Sequence, residues 1–147
     1  MSSCIFCDMI RGNGSYHEIY QDEDKLAILD KYPIDIGHSL VIPKKPYEKL
    51  TDMSVDEVSE LFSKIPKIAD AIIKATNADG FSIAQNNGRA AKQIIPHVHV
   101  HIIPRYNSTG TEWTKRKILN EDELDGLAKK IRACMTVSYT HLRAHET

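Results

Sequence analysis

Three histidines occupy alternate positions in Pro96-His97-Val98-His99-Val100-His101-Ile102-Ile103-Pro104. On an extended segment alternate side chains share a face, so His97, His99 and His101 should line one side while Val98, Val100 and Ile102 take the other. Imidazole titrates near neutral pH, and a packed row cannot carry three positive charges without mutual repulsion. A spread of protonation states is therefore expected, and that suits acid-base and nucleophilic chemistry. A metal site is the rival reading, because two histidines at this spacing can share a zinc ion. The third is hard to include: positions four apart on a strand lie about 13 Å from each other, while a zinc–nitrogen bond is about 2 Å. Near the other end of the chain, Cys4 and Cys7 form a Cys-x-x-Cys, a weak metal signal taken alone.

The surrounding pattern reads as the frame for this row. Ile5, Phe6, Met9 and Ile10 have helical spacing and are closed by Gly12 and Gly14, which predicts one or two helical turns. His17 to Tyr20 and Leu26 to Asp30 read as a strand pair turning on Asp22, Glu23 and Asp24, with Pro33 ending the second strand. Ser39 to Ile42, Phe81 to Asn86 and Val98 to Ile103 read as further strands, the last stopped by Pro104. Ser54 and Glu57 form a capping box ahead of a long stripe from Val55 to Ile73, within which Pro66 should kink or restart the helix. A last helix is expected from Asn120, with its stripe on Leu124, Leu127, Ile131 and Met135. The residues Thr136 to Thr147 do not extend that stripe and read as a non-native or disordered tail, so His141 and His145 are set aside.

Length and composition narrow the function classes. A chain of 147 residues fits one domain, here 1–135, and the strand and helix signals together predict an α+β fold. The formal charge is −1 with mixed signs along the chain, which argues against nucleic acid as a partner. No apolar run approaches the ~20 residues that span a bilayer, and no signal-peptide pattern opens the chain, so no membrane association and a cytoplasmic location are expected. The three cysteines offer no disulfide framework, consistent with a reducing compartment, and Cys134 reads as a small buried hydrophobe.

The histidine run, the opening Cys4-Ile5-Phe6-Cys7, the segment Gly37-His38-Ser39-Leu40-Val41-Ile42-Pro43-Lys44 and the loop Asn86-Asn87-Gly88 together resemble the histidine triad family, over most of the chain from Cys4 to Arg105. The resemblance implies an antiparallel sheet of about five strands with one long helix on a face, short helices at both ends, and a homodimer. It also implies hydrolysis of a phosphoramidate or phosphoanhydride at the α-phosphate of an adenosine or guanosine nucleotide. His99 would be the nucleophile and form a nucleotidyl-histidine intermediate released by water, a route that requires no metal. His101 would contact phosphate oxygen and help protonate the leaving group, with His97 and His38 extending the network behind it.

By the same resemblance Asp30 binds the ribose hydroxyls, although turn formation before Pro33 explains it equally well. Asn86 and Gln93 would surround phosphate and ribose, and the base would sit against Ile5, Phe6, Met9 and Ile28, an apolar patch that also reads as core. The family often shows Ala-Gly-Gln followed by Ser or Thr before the histidines, where this chain has Ala91-Lys92-Gln93-Ile94. A glycine and a hydroxyl are thereby lost, and leaving-group choice is open; the segment from Tyr106 to Lys117, with Trp113, is expected to lie near the site and tune which nucleotide derivative is taken. Related bacterial members hold a structural zinc through the Cys-x-x-Cys, a later histidine and the first triad histidine. Here Pro46 replaces that later histidine, which leaves Cys4, Cys7 and His97 as an incomplete zinc site. Two other readings stand beside the hydrolase: a nucleotide-binding regulatory protein with weak activity, and a zinc-dependent hydrolase using the His-x-His strand.

Overall fold

The computed structural model describes residues 4–111, 113 and 117–146, with side chains described through Met135. A five-stranded sheet, entirely antiparallel, carries β1 (Glu18–Gln21), β2 (Lys25–Leu29), β3 (Ser39–Pro43), β4 (Gly80–Ala84) and β5 (Val100–Arg105) in the spatial order β1-β2-β3-β5-β4. Among the described residues four α-helices accompany it: α1 (Ile5–Ile10), α2 (Val55–Phe62), α3 (Ile65–Thr76) and α4 (Glu121–Glu146). This is the α+β layer architecture expected from the sequence.

Alternation divides the central strands between two cores. Ala27, Leu29, Val41, Val100 and Ile102 join α3 and α4 residues such as Ile68, Ile72, Leu124 and Ile131 in the larger core. Leu26, Ile28, Leu40 and Ile42 point the other way, against Phe6 and Met9 of α1. Each fully buried aliphatic side chain here contributes about 1.5–3 kcal/mol. His101 pairs with Leu40 in the β3–β5 register, so the histidine face is the α1 face of the sheet.

The Pro66 signal resolves as a break: α2 ends at Phe62 and α3 begins at Ile65, with Pro66 in the first turn, where its missing N–H is not needed. Ser54 caps α2, accepting from the Glu57 amide at 3.2 Å while Glu57 accepts from the Ser54 amide at 2.9 Å. Asn120 accepts from the Glu123 amide at 2.8 Å ahead of α4. The helical backbone of α4 then runs on to Glu146 rather than stopping with the buried stripe at Met135. The side chains of 136–146, and Thr147, lie outside the described residues, and with them the expectation of a tail. Among the described residues, no helix is long and apolar enough to cross a membrane.

The histidine strand differs from expectation in its limits. Its ladder begins at Val100, so His97 and His99 precede it, and it runs through Pro104 to Arg105. Pro104 lies past the end of the β3 pairing, which reaches only Ile102, so its lack of an amide breaks no ladder bond on that side. The segment before the ladder is held instead by the Val98 amide donating to the Tyr47 carbonyl at 2.7 Å. Gly37 fixes the approach to His38: its φ is +96°, and a Cβ there would meet Thr76 Cγ2 at 2.9 Å and Pro104 Cγ at 3.0 Å.

Candidate active site

His99 is held by its own segment. Its Nδ1 lies 2.7 Å from the His97 carbonyl oxygen, which can only accept, so Nδ1 carries the proton and Nε2 keeps its lone pair. Burial lowers the His99 pKa, against the opposing effects of that carbonyl and of Asp30, and so favours the neutral ring. Phe6 packs edge-on against it with ring centroids 5.1 Å apart.

A second chain of donors sets His101. The Ile34 amide donates to His38 Nδ1 at 3.0 Å, which forces the proton of a neutral His38 onto Nε2. That nitrogen is 2.9 Å from His101 Nδ1, so His38 donates, His101 accepts, and the proton of a neutral His101 sits on Nε2. His99 and His101 then offer complementary edges, a lone pair and an N–H, on rings whose centroids are 5.0 Å apart. Trp113 closes against His101 at 5.4 Å.

Both rings line a cavity of about 400 Å³, to which Ile5, Phe6, Met9, Ile28, Asp30 and Asn86 also contribute. The apolar residues expected to receive a base therefore do line an opening beside the histidines. Phe6, Met9 and Ile28 are at the same time buried core members. Asp30 likewise fills two roles. One carboxylate oxygen accepts from the Tyr32 amide at 2.9 Å, making the turn, while the other lies 3.7 Å from His38 Nε2.

Gln93, His97 and His38 are placed differently from ligand contacts. Gln93 accepts from the Gly88 amide at 2.7 Å and donates to the carbonyls of Glu48 at 2.6 Å and Ile95 at 3.1 Å. Its amide thus clamps the loop and does not border the cavity. His38 and His97 are fully buried and act on the cavity only through neighbours. His97 Nε2 donates to the Pro43 carbonyl at 2.8 Å, leaving the Nδ1 lone pair aimed at Cys4 Sγ, 3.3 Å away, and Cys7 Sγ, 3.4 Å away.

Those separations match donors around a tetrahedral zinc, for which bonds of about 2.0 Å to nitrogen and 2.3 Å to sulfur place N and S about 3.5 Å apart. Among the described residues no fourth histidine, cysteine or carboxylate joins the three. Burial, reinforced by Cys4, pushes the Cys7 thiol up to about 11, so Cys7 keeps its proton near neutral pH unless a cation displaces it. Among the described residues no cluster of three or more potential ligands contains two of the three strand histidines, while Asp30, His38 and His101 form one such cluster beside the cavity. The backbone anchors, Pro43 and His97 carbonyls and the Ile34 amide, were not foreseen, because backbone groups leave no mark in side-chain type.

The HIT domain family model matches residues 12–108. The chain is 39% identical over 135 residues to adenylylsulfatase HINT3 of Arabidopsis thaliana, covering 91% of this chain and 68% of that protein. It is 33% identical over 132 residues to adenosine 5'-monophosphoramidase hnt1 of Schizosaccharomyces pombe, covering 88% and 96%. A zinc-bound histidine triad family protein from Mycobacterium smegmatis superposes with a TM-score of 0.84 at 34% identity, over 95% of this chain and 97% of that one.

Proposed function

We propose that this chain, which belongs to the HIT domain family and is a hydrolase like its named relatives, cleaves a nucleotide phosphoramidate or phosphoanhydride at the α-phosphorus. The observation that carries this reading is His99: its Nδ1–H is tied to the His97 carbonyl at 2.7 Å, and its ring lines a nucleotide-sized cavity. The Nε2 lone pair forms a bond to phosphorus, and the bond to the leaving group breaks with its electron pair going to that group. Water then attacks the same phosphorus, the P–N pair returns to Nε2, and one proton is released. His101 Nε2–H donates to a phosphate oxygen as charge builds there, and His38 holds its tautomer. Asp30 and Asn86 receive the ribose and phosphate, and the base lies against Phe6, Met9 and Ile28.

Zinc, where bound, would be held by Cys4, Cys7 and His97 and would tie α1 to the segment ahead of β5. It would supply structural cross-linking, and the phosphoryl chemistry would proceed without it. We also assign a homodimer: β4 is an edge strand, and its Phe81 and Ile83 are exposed, an edge that invites pairing with a second copy. Light scattering at twice the chain mass, reverting to one in Ile83→Lys, is the expected result.

The functional test incubates the protein with adenosine 5'-phosphoramidate and with diadenosine polyphosphate, with and without a strong chelator. Chelator-resistant turnover that disappears in His99→Ala is expected. Chelator-sensitive turnover would favour zinc chemistry, and AMP binding without turnover would favour the regulatory protein.

A further inference from the structure

One part of the cavity wall beside His99 comes from the loop between β4 and β5, which contributes Asn86, Lys92, Ile94 and Ile95, while Lys31 and the hydroxyl residues Ser15, Tyr16 and Tyr32 line it from other segments. The loop part offers one ammonium and one amide, with no carboxylate and no hydroxyl. Lys92 stands out by its backbone. Its φ of +66° and ψ of 30° lie in the left-handed region, one of two non-glycine positive φ angles among the described residues. The other, Asn77, caps α3 and is a residue type that tolerates this conformation, whereas lysine has a Cβ and no short polar group to hydrogen-bond locally, and so gains nothing from it.

The strain is held from both sides. The Lys92 amide donates to the Arg89 carbonyl at 2.9 Å, and the next residue, Gln93, is clamped to Gly88 through both its backbone and its side chain. An over-determined, unfavourable conformation that carries a charged side chain to the rim of a reaction cavity points to use of that side chain. No ion pair involves Lys92 among the described residues, and the one carboxylate in the cavity wall, Asp30, is turned to the Tyr32 amide and toward His38. The charge on this rim is thus left for a ligand to neutralise. Ile94, beside it and 88% exposed, can neither donate nor accept.

We propose that Lys92 binds the leaving group, and that the preferred substrates are nucleoside 5'-phosphate anhydrides whose leaving group departs as an oxyanion, sulfate or phosphate, rather than as an amine. The inference rests on the reading of His99 as the nucleophile at the α-phosphorus. When Nε2 bonds to phosphorus, the bridging P–O bond breaks and its electron pair stays on the departing oxygen. That anion leaves without needing a proton, and an ammonium beside it stabilises the developing charge. An amine leaving as such would have to receive a proton, and it departs without the negative charge that an ammonium stabilises.

The test measures kcat/KM for adenosine 5'-phosphosulfate, diadenosine triphosphate and adenosine 5'-phosphoramidate in the wild type, Lys92→Gly and Lys92→Arg. Lys92→Gly relieves the left-handed backbone, so its folding, followed by thermal melting, should not suffer. The wild type is expected to favour the sulfate or phosphate anhydride, and the ratio of that rate to the phosphoramidate rate should fall about tenfold in Lys92→Gly, the loss of one charge-assisted contact. Lys92→Arg should keep the ratio within about twofold. Whichever anhydride shows the larger fall identifies the leaving group as sulfate or phosphate. A wild type that prefers the phosphoramidate, or a ratio insensitive to Lys92→Gly, overturns the inference while leaving the hydrolase reading intact. A wild type inactive on all three, and inactive also when supplied with zinc, overturns both.

Discussion

His17, where the chain enters β1, and His99, ahead of β5, are buried to nearly the same degree, with 6% and 8% of their surfaces exposed. Their nitrogens are used in opposite ways. His17 places Nδ1 3.0 Å from Asp125 and Nε2 2.6 Å from Glu121, so both nitrogens donate to carboxylates and tie β1 to α4. His99 gives one nitrogen to a backbone carbonyl and keeps a lone pair on the other. Burial therefore does not separate these two histidines; the fate of the second nitrogen does. The same contrast holds for the other buried polar groups. Lys25 is satisfied by Asp22 at 3.0 Å and Glu60 at 2.8 Å, charge against charge, whereas His38 and His101 pair imidazole with imidazole beside the cavity.

The largest effect that would break this comparison is expected in His99→Ala, where turnover should fall about a thousandfold or more while AMP binding by calorimetry persists. Retained turnover would mean that the lone pair is not the reacting group. Next comes His38→Ala, which removes the donor that fixes the His101 tautomer; kcat should drop about 10- to 100-fold, with KM changing much less. A matching rise in KM alone would make His38 a packing residue only. His17→Ala should instead leave kcat within about twofold and lower stability by about 1–3 kcal/mol, read from urea unfolding, since two carboxylates lose their shared donor. Loss of activity without loss of stability there would reverse the assignment.

The smallest effect concerns Asp22. Its partial burial works to raise its pKa, but hydrogen bonds from the Asp24 amide, the Lys25 ammonium, the Tyr20 hydroxyl and the Lys25 amide win and bring it from 3.8 to about 2. A carboxyl held below its unfolded value stabilises the fold above the ordinary carboxylate range, and that contribution is lost as pH falls from about 4 to about 2. Asp22→Asn should therefore cost about 1 kcal/mol at pH 7, and the difference from wild type should shrink across that window in acid-unfolding curves.

Much of the site was legible because its determinants are local. Alternation along His97 to His101 already implied one chemical face and one apolar face, and Val98, Val100 and Ile102 do enter the core. Ser54 with Glu57 marked a helix start, and Pro66 a discontinuity, since capping and the missing amide act within a turn. The carbonyl partners of Gln93 and His97 were not legible: Gln93 meets Glu48 and His97 meets Pro43 across 45 and 54 residues of sequence, and residue type says nothing about which distant carbonyl will arrive, whereas the meeting of His97 with Cys4 and Cys7 was expected from the family resemblance.

By itself the sequence determined which side chains are able to carry chemistry, where helices and strands begin within a few positions, and which face of each strand is apolar, because these follow from side-chain type and from periods of a few residues. Only the tertiary structure decided which ring nitrogen holds each proton, which histidines reach the cavity, and that Lys92 rather than Gln93 stands on its rim. Those choices depend on backbone donors and acceptors that every residue possesses alike, and they become specific only when folding sets one of them within about 3 Å of a particular nitrogen.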